Sequence, residues 1–374
     1  DLSISDELAP GFGDRVRRRP RSPTIRPPSR AIHTRSMPEG PEIEANRRLV
    51  ARLVGRRITR ATALEQGGGP RDGLFDASVM DDPDADAASV EAALLKAPYI
   101  RAACRRGKQL WVELAPKKGG PASASLLVHC GMTGSLVLQD TAATPYKNFT
   151  VDETQWPPRF TKLELEFDQG PPLAFCDPRR FGRLRLRGAD PLAEPPLNAL
   201  AADFLAPPPV ETFAAVLGRA KAPVKAILLD QQKLVAGVGN WVVDEVLFHA
   251  GILPSAPCDT LSPAQVGALR TSLVDVGATA VQANADSEKF PAGWLFHHRW
   301  RNQTSGTFSS PIGVIKFDTV GGRTTAWLPS AQKAGEAGKK AAAAAKRGAP
   351  EKVEKKSKPA KRAKKADAAP TPAR

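Results

Sequence analysis

The chain has 374 residues, 41% of them hydrophobic, and a formal net charge of +15. That is enough apolar material for two or more domains with real cores, and no apolar run approaches the roughly 20 residues of a membrane-spanning helix, so no membrane partner is expected. Cys104, Cys130, Cys176 and Cys258 are scattered without a Cys-x-x-Cys pair, which argues against a zinc ribbon or a disulfide scaffold and fits a reducing compartment.

Residues 1–36 carry 8 basic and 4 acidic side chains, residues 333–374 carry 14 and 4, and the centre is left with a net +1. A nucleic-acid footprint on the core must therefore be local. Residues 1–36 are rich in arginine and proline without apolar periodicity and are expected to be disordered. A helical pattern runs from Pro41 to about Leu53, with Ile43, Leu49, Val50 and Leu53 apolar and Gly55 closing it. Short β-like runs follow: Ile58 to Ala63, Tyr99 to Arg105, Gln109 to Leu114, Ser125 to His129, Ser135 to Gln139, Lys162 to Phe167, Leu173 to Cys176 and Arg183 to Arg187. So many strands without intervening helices predict a sandwich or barrel. Beyond Glu194-Pro195-Pro196 the texture turns helical, with Asp203 to Leu205, Val210 to Leu217, Val224 to Leu229, Val242 to Ala250 and Ala264 to Ala283 as helices. Val314 to Phe317 and Thr324 to Leu328 flank Gly321-Gly322, a hairpin signal, and from Lys333 the chain is a low-complexity Lys-Ala tract.

Met37-Pro38-Glu39-Gly40-Pro41-Glu42-Ile43 allows two readings. Proline suits a first helical turn and Glu42 and Glu44 suit its positive end, so the segment can simply open a helix. If Met37 starts the translated chain and is removed, Pro38 instead becomes a secondary amine able to attack an aldehydic carbon, with Glu39 beside it to carry a proton.

Five segments in order resemble the formamidopyrimidine-DNA glycosylase and endonuclease VIII family: residues 37–43, Arg-Arg-Gly-Lys at 105–108, His-Cys-Gly-Met-Thr-Gly at 129–134, Asp-Pro-Arg-Arg-Phe-Gly at 177–182, and Leu-Asp-Gln to Gly-Val-Gly-Asn at 229–240. Each is weak alone; five in register are specific. No cysteine follows Cys258, and Gly321-Gly322-Arg323-Thr324-Thr325-Ala326 looks like the zincless finger of the plant and fungal branch. The resemblance implies an α+β multidomain fold: a disordered extension (1–36), a catalytic domain of helix plus antiparallel β-sandwich (37–193), a helix-two-turn-helix domain (194–290), a zincless β-hairpin finger (291–332) and a disordered basic tail (333–374). No cofactor or metal is implied, and His297 and His298 form an incomplete ligand set.

The activity implied is bifunctional: excision of oxidised bases, formamidopyrimidines and oxidised guanine products among them, from duplex DNA, followed by abasic-site lyase chemistry. Pro38 would attack C1′, Glu39 would protonate the opening sugar, and β- then δ-elimination would cut the strand. Lys108 matches the family lysine beside the lesion phosphate, and Asn240 and Arg323 match phosphate contacts. Met132, Arg179 and Phe181 match the residues that fill the helix after base extrusion. His129 matches a phosphate-proximal histidine, with a buried structural histidine as the alternative. Glu42 and Lys225 are supporting residues. Gly40 resembles the endonuclease VIII branch and oxidised pyrimidines, while the wedge residues favour purines. A non-catalytic DNA-binding protein follows if Pro38 is not N-terminal. The partner expected is duplex DNA with oxidised bases or abasic sites, bound by a monomer in the nucleus, with a mitochondrial pool allowed by the Arg-rich residues 15–35. Residues 1–36 block the chemistry if they remain attached, so the expectation is that translation begins at Met37 or that a presequence is cut.

Overall fold

The computed structural model describes residues 38–139, 141, 155–300 and 305–335. The arginine-rich extension and all but the first three residues of the basic tail lie outside them.

Helix α1 (Gly40–Ala51) starts where expected, with Glu39 as N-cap, Pro41 in its first turn and Glu42 closing a capping box. All eight expected strands form: β1 (Ile58–Thr62), β2 (Tyr99–Arg106), β3 (Gln109–Ala115), β4 (Ala124–His129), β5 (Ser135–Leu138), β6 (Thr161–Phe167), β7 (Leu173–Cys176) and β8 (Arg183–Arg187). They make two antiparallel four-stranded sheets, ordered β1-β6-β7-β5 and β2-β3-β4-β8. Leu110, Val112, Leu126 and Val128 from one sheet and Leu136, Leu163, Leu165 and Phe175 from the other share one core with Ile43 and Val50 of α1. Alternate residues of each strand supply it, as the pleat requires.

The expectation of strands without helices between them is corrected. Helices α2 (Ala77–Met80) and α3 (Ala87–Lys96) lie between β1 and β2. The Asp-rich residues 81–86 hid their start, although Asp86 caps α3 through the Ser89 amide. Val90 and Leu94 place α3 on the sandwich core.

Asp203 to Leu205 is not helical: Ala202–Asp203 forms β9, paired in parallel with β10 (Val235–Ala236). Asp203 is instead committed to Arg105, as described below. The helices α4 (Val210–Gly218), α5 (Val224–Leu229), α6 (Asn240–His249) and α7 (Pro263–Gln282) share a second core. Trp241 stands at its centre, its ring centroid 5.6 Å from Phe290 and 5.0 Å from Phe296. The predicted hairpin is the inner part of a three-stranded sheet, β11 (Gly306–Ser310), β12 (Gly313–Val320) and β13 (Arg323–Trp327). Gly321 and Gly322 both have positive φ, as a two-residue hairpin turn needs. Lys333 is paired with Gly251 and Leu253, so the ordered chain runs past the expected start of the tail.

Sandwich and helices meet at Arg105, whose side chain is 5% exposed. Its guanidinium grips both carboxylate oxygens of Asp203 at 2.6 and 2.8 Å and Glu44 at 3.1 Å, with its Cζ 5.1 Å from the Phe204 ring. Phe204 is fully buried, and a Cβ on Gly40, Gly237 or Gly277 would press on its ring.

Candidate active site

Four chain segments converge at this joint. Glu39 turns into the start of α6, where its Oε1 accepts from the Trp241 amide at 2.9 Å and its Oε2 from the Val242 amide at 3.0 Å. The helix has no capping side chain of its own, because its N-cap is Gly239. A Cβ on Gly239 would collide with the Glu39 carboxyl, so glycine there is a condition of the contact. The Gly40 amide donates to the Gly237 carbonyl at 2.9 Å, fixing the first described residues of the chain against the Gly-Val-Gly-Asn loop.

Burial pushes the Glu39 carboxyl above its usual range, while the Lys108 charge and the two α6 amides pull it back. Glu42 lies behind it, accepting from Trp241 Nε1 at 3.1 Å and from the Glu39 amide at 3.0 Å. Burial and the neighbouring Glu39 charge push Glu42 up to about 8. One proton is thus held next to Glu39 at neutral pH, which suits a carboxyl that must give and take a proton. Pro38 itself is buried immediately before this pair.

Lys108 lies in the turn joining β2 and β3, after Gly107 with φ +59°. Burial lowers its ammonium below the usual lysine value, the Glu39 and Glu42 charges counter this, and the Arg323 charge adds to it. A Cβ on Gly107 would meet Ala236 at 2.8 Å, so this turn also abuts the Gly-Val-Gly-Asn loop. His129 is driven down to about 4 by burial first and then by the charges of Lys108, Arg185 and Arg183. Its Nδ1 accepts from the Gly131 amide at 3.3 Å, which leaves the proton on Nε2. A neutral Nε2–H donor is compatible with either role expected for it.

Asn240 opens α6, and its Nδ2 donates to the Thr324 carbonyl of β13 at 3.0 Å. Its Oδ1 is buried and has no protein partner. Arg323 is exposed at the tip of the finger hairpin, opposite Val320. Lys225 is fully buried on α5, where Nζ donates to Asp244 Oδ1 at 2.7 Å and to Thr325 Oγ1 at 2.8 Å. It supports the site without reaching its surface.

Met132, Arg179 and Phe181 sit on two abutting loops. A Cβ on Gly131 would strike the Phe181 backbone. Phe181 is 47% exposed and carries the Arg179 guanidinium 5.0 Å from its ring. Asp177 binds both loops together, accepting from Thr133 Oγ1 at 2.6 Å, the Arg179 amide at 3.2 Å and the Gly182 amide at 2.6 Å. In the sequence Asp177 is only the first residue of its motif, and Asp76, Asp244 and Arg299 carry no local signal of a role.

The residues are thus brought together in two groups: Glu39, Lys108, Asn240 and Arg323 at the joint, and Met132, Arg179 and Phe181 beyond His129. The formamidopyrimidine-DNA glycosylase N-terminal domain matches residues 37–184, and the H2TH domain of the same enzymes matches residues 200–291. A formamidopyrimidine-DNA glycosylase from Arabidopsis thaliana is 36% identical over 315 residues, covering 82% of this chain and 74% of its own. The chain belongs to the formamidopyrimidine-DNA glycosylase family. It is therefore a DNA glycosylase for oxidised bases in base excision repair, in a family with abasic-site lyase activity. Among solved glycosylases, that of Thermus thermophilus matches with a TM-score of 0.56 at 28% identity, over 80% of this chain and all of that one. The Lactococcus lactis glycosylase, non-covalently bound to DNA containing an abasic site, matches at 24% identity with a TM-score of 0.58, over 79% and 99% of the two chains, a likeness of fold.

Proposed function

We propose that the chain excises oxidised purines, formamidopyrimidines and oxidised guanine products from duplex DNA with Pro38 as nucleophile and Glu39 as proton carrier. The observation that carries this reading is the buried Glu39 carboxyl, next in sequence to Pro38 and held by the first amides of α6, with the Lys108 charge acting on it. The Pro38 nitrogen attacks C1′ and the N-glycosidic bond breaks, its electron pair leaving with the base, which gains a proton. Glu39 protonates the opening sugar oxygen, and the amine becomes an iminium. Loss of a C2′ proton expels the 3′ phosphate, and further elimination expels the 5′ phosphate. This needs a free secondary amine, so the active form begins at Pro38. Lys108, His129, Asn240 and Arg323 hold the phosphates, while Met132, Arg179 and Phe181 fill the space of the extruded base.

The adjacency of the three wedge residues supports purines over pyrimidines. Gly40, which leans the other way, has a packing reason of its own in Phe204. We read the finger as a bare hairpin because no cysteine follows Cys258 and His297 Nε2 faces the Phe290 and Pro291 carbonyls at 3.3 and 3.2 Å. The enzyme acts as a monomer, and its Lys-Arg tail addresses it to the nucleus, with a mitochondrial pool where a presequence is made. Borohydride trapping on an abasic duplex tests the nucleophile, with the adduct mapped by mass spectrometry. The adduct is expected on a peptide beginning at Pro38; equal trapping by a protein whose Pro38 nitrogen is acylated overturns the assignment. Glu39→Gln is expected to keep duplex binding and lose base excision by at least about 100-fold, and parental excision would remove Glu39 from its role.

A further inference from the structure

Behind Arg323 lies a buried charge cluster that the chemistry above does not use. Lys225, Asp244 and Thr325 are fully buried, and Arg299 is 8% exposed. Asp244 Oδ1 accepts from Lys225 Nζ at 2.7 Å, and its Oδ2 accepts from Arg299 Nη2 at 2.6 Å and from the Ala326 amide at 3.1 Å. Lys225 also donates to the Thr324 carbonyl at 3.2 Å and to Thr325 Oγ1 at 2.8 Å, and that hydroxyl donates to the Arg323 carbonyl at 3.0 Å. Arg299 reaches the Asn240 carbonyl at 3.2 Å.

Three consecutive residues of β13, Thr324 to Ala326, are therefore tied to α5 and α6 by one carboxylate and its two cations, directly after Arg323. A short hairpin has little core with which to fix its own tip. Besides the apolar contacts of Leu295, Ile315, Phe317, Ala326 and Leu328 and the Asn240 bond to the Thr324 carbonyl, this cluster holds the strand that follows the tip. We propose that Asp244 is a positioning residue that sets Arg323 for its DNA phosphate, the all-protein counterpart of a metal clamp. The proposal rests on the reading of Arg323 as a phosphate contact.

The test is a double-mutant cycle on the full enzyme: parent, Asp244→Asn, Arg323→Ala and the double variant, binding a duplex with a tetrahydrofuran abasic analogue over a range of salt. Each phosphate contact contributes about 0.9 to the slope of log affinity against log salt. Arg323→Ala is expected to lower the slope by about 0.9. Asp244→Asn should lower it by most of that amount, and the double variant by no more than Arg323→Ala alone. A protein that was merely destabilised would lose active fraction without changing slope. If Asp244→Asn does not fold, Thr325→Val keeps the shape and all three charges while cutting the link to the Arg323 carbonyl, and it should lower the slope in the same direction. A parental slope for the folded variant beside a reduced one for Arg323→Ala overturns the positioning role alone. A parental slope for Arg323→Ala overturns the phosphate reading and the positioning role with it.

Discussion

Glu42 holds its proton for a reason that can be measured. Its folded value, about 8, lies above that of an unfolded glutamate because of burial and the Glu39 charge. The unfolded chain therefore loses this proton first as pH rises, and the group costs stability progressively between the unfolded value and about 8. The slope of stability against pH in that window should be steeper in the parent than in Glu42→Gln, by up to about 1.4 kcal/mol per pH unit. Urea denaturation at pH 5, 6, 7 and 8 checks this; parallel curves would show that Glu42 ionises in the fold as it does in water. His129 has the opposite sign. With its folded value near 4, its contribution is whole above the unfolded histidine value and is lost as pH falls.

At the scale of elements, the turn bearing Arg179 and Phe181, two of the proposed wedge residues, is braced by the excursion between β1 and β2. Arg180 has φ +59°, which few side chains adopt, and stands between Arg179 and Phe181. Its guanidinium is held by both oxygens of Asp76, at 2.6 and 2.9 Å, and Asp76 also meets Lys162 at 3.3 Å. Burial would raise the Asp76 carboxyl, but Arg180, Ser78 and Lys162 outweigh it and keep it ionised. Asp76→Ala should free the turn at a cost of about 1–2 kcal/mol, since the Arg180 side chain is 41% exposed. A 2-aminopurine opposite the lesion should then brighten less on binding, while borohydride trapping on abasic DNA persists; unchanged fluorescence would detach Asp76 from the wedge. This brace was not legible in the sequence. The eight strands were, because alternation and turn residues are local signals; Glu39, Lys108 and Arg323 stood out because they sit in motifs, and the fold brings their charges together. Asp76, Asp244 and Arg299 have meaning only through partners far along the chain, and the short α2 has too few residues to show a period.

For the molecule as a whole, Arg105 is a buried fastening between sandwich and helices, beside the Glu39 and Glu42 bonds to α6. Asp203→Ala leaves a guanidinium that is 5% exposed with Glu44 as its remaining carboxylate, and should cost about 3 kcal/mol. The urea midpoint should fall accordingly and abasic-duplex affinity with it, because Lys108 and α6 are then no longer held together; a midpoint at the parental value would place the fastening elsewhere. The same closeness has a consequence in time. Residue 39 and its helix partner are separated by 202 positions, which a ribosome crosses in roughly 10–40 s at about 5–20 residues per second. Until α6 has emerged the Glu39 carboxyl lacks the Trp241 and Val242 amides that bind it; afterwards Glu39 is sealed beneath the helix. On the reading that Met37 is trimmed to free Pro38, the aminopeptidase must act within that interval. A chain that folds before trimming would then be correctly assembled and permanently silent, so slowing the peptidase should lower the active fraction without lowering the yield of folded enzyme.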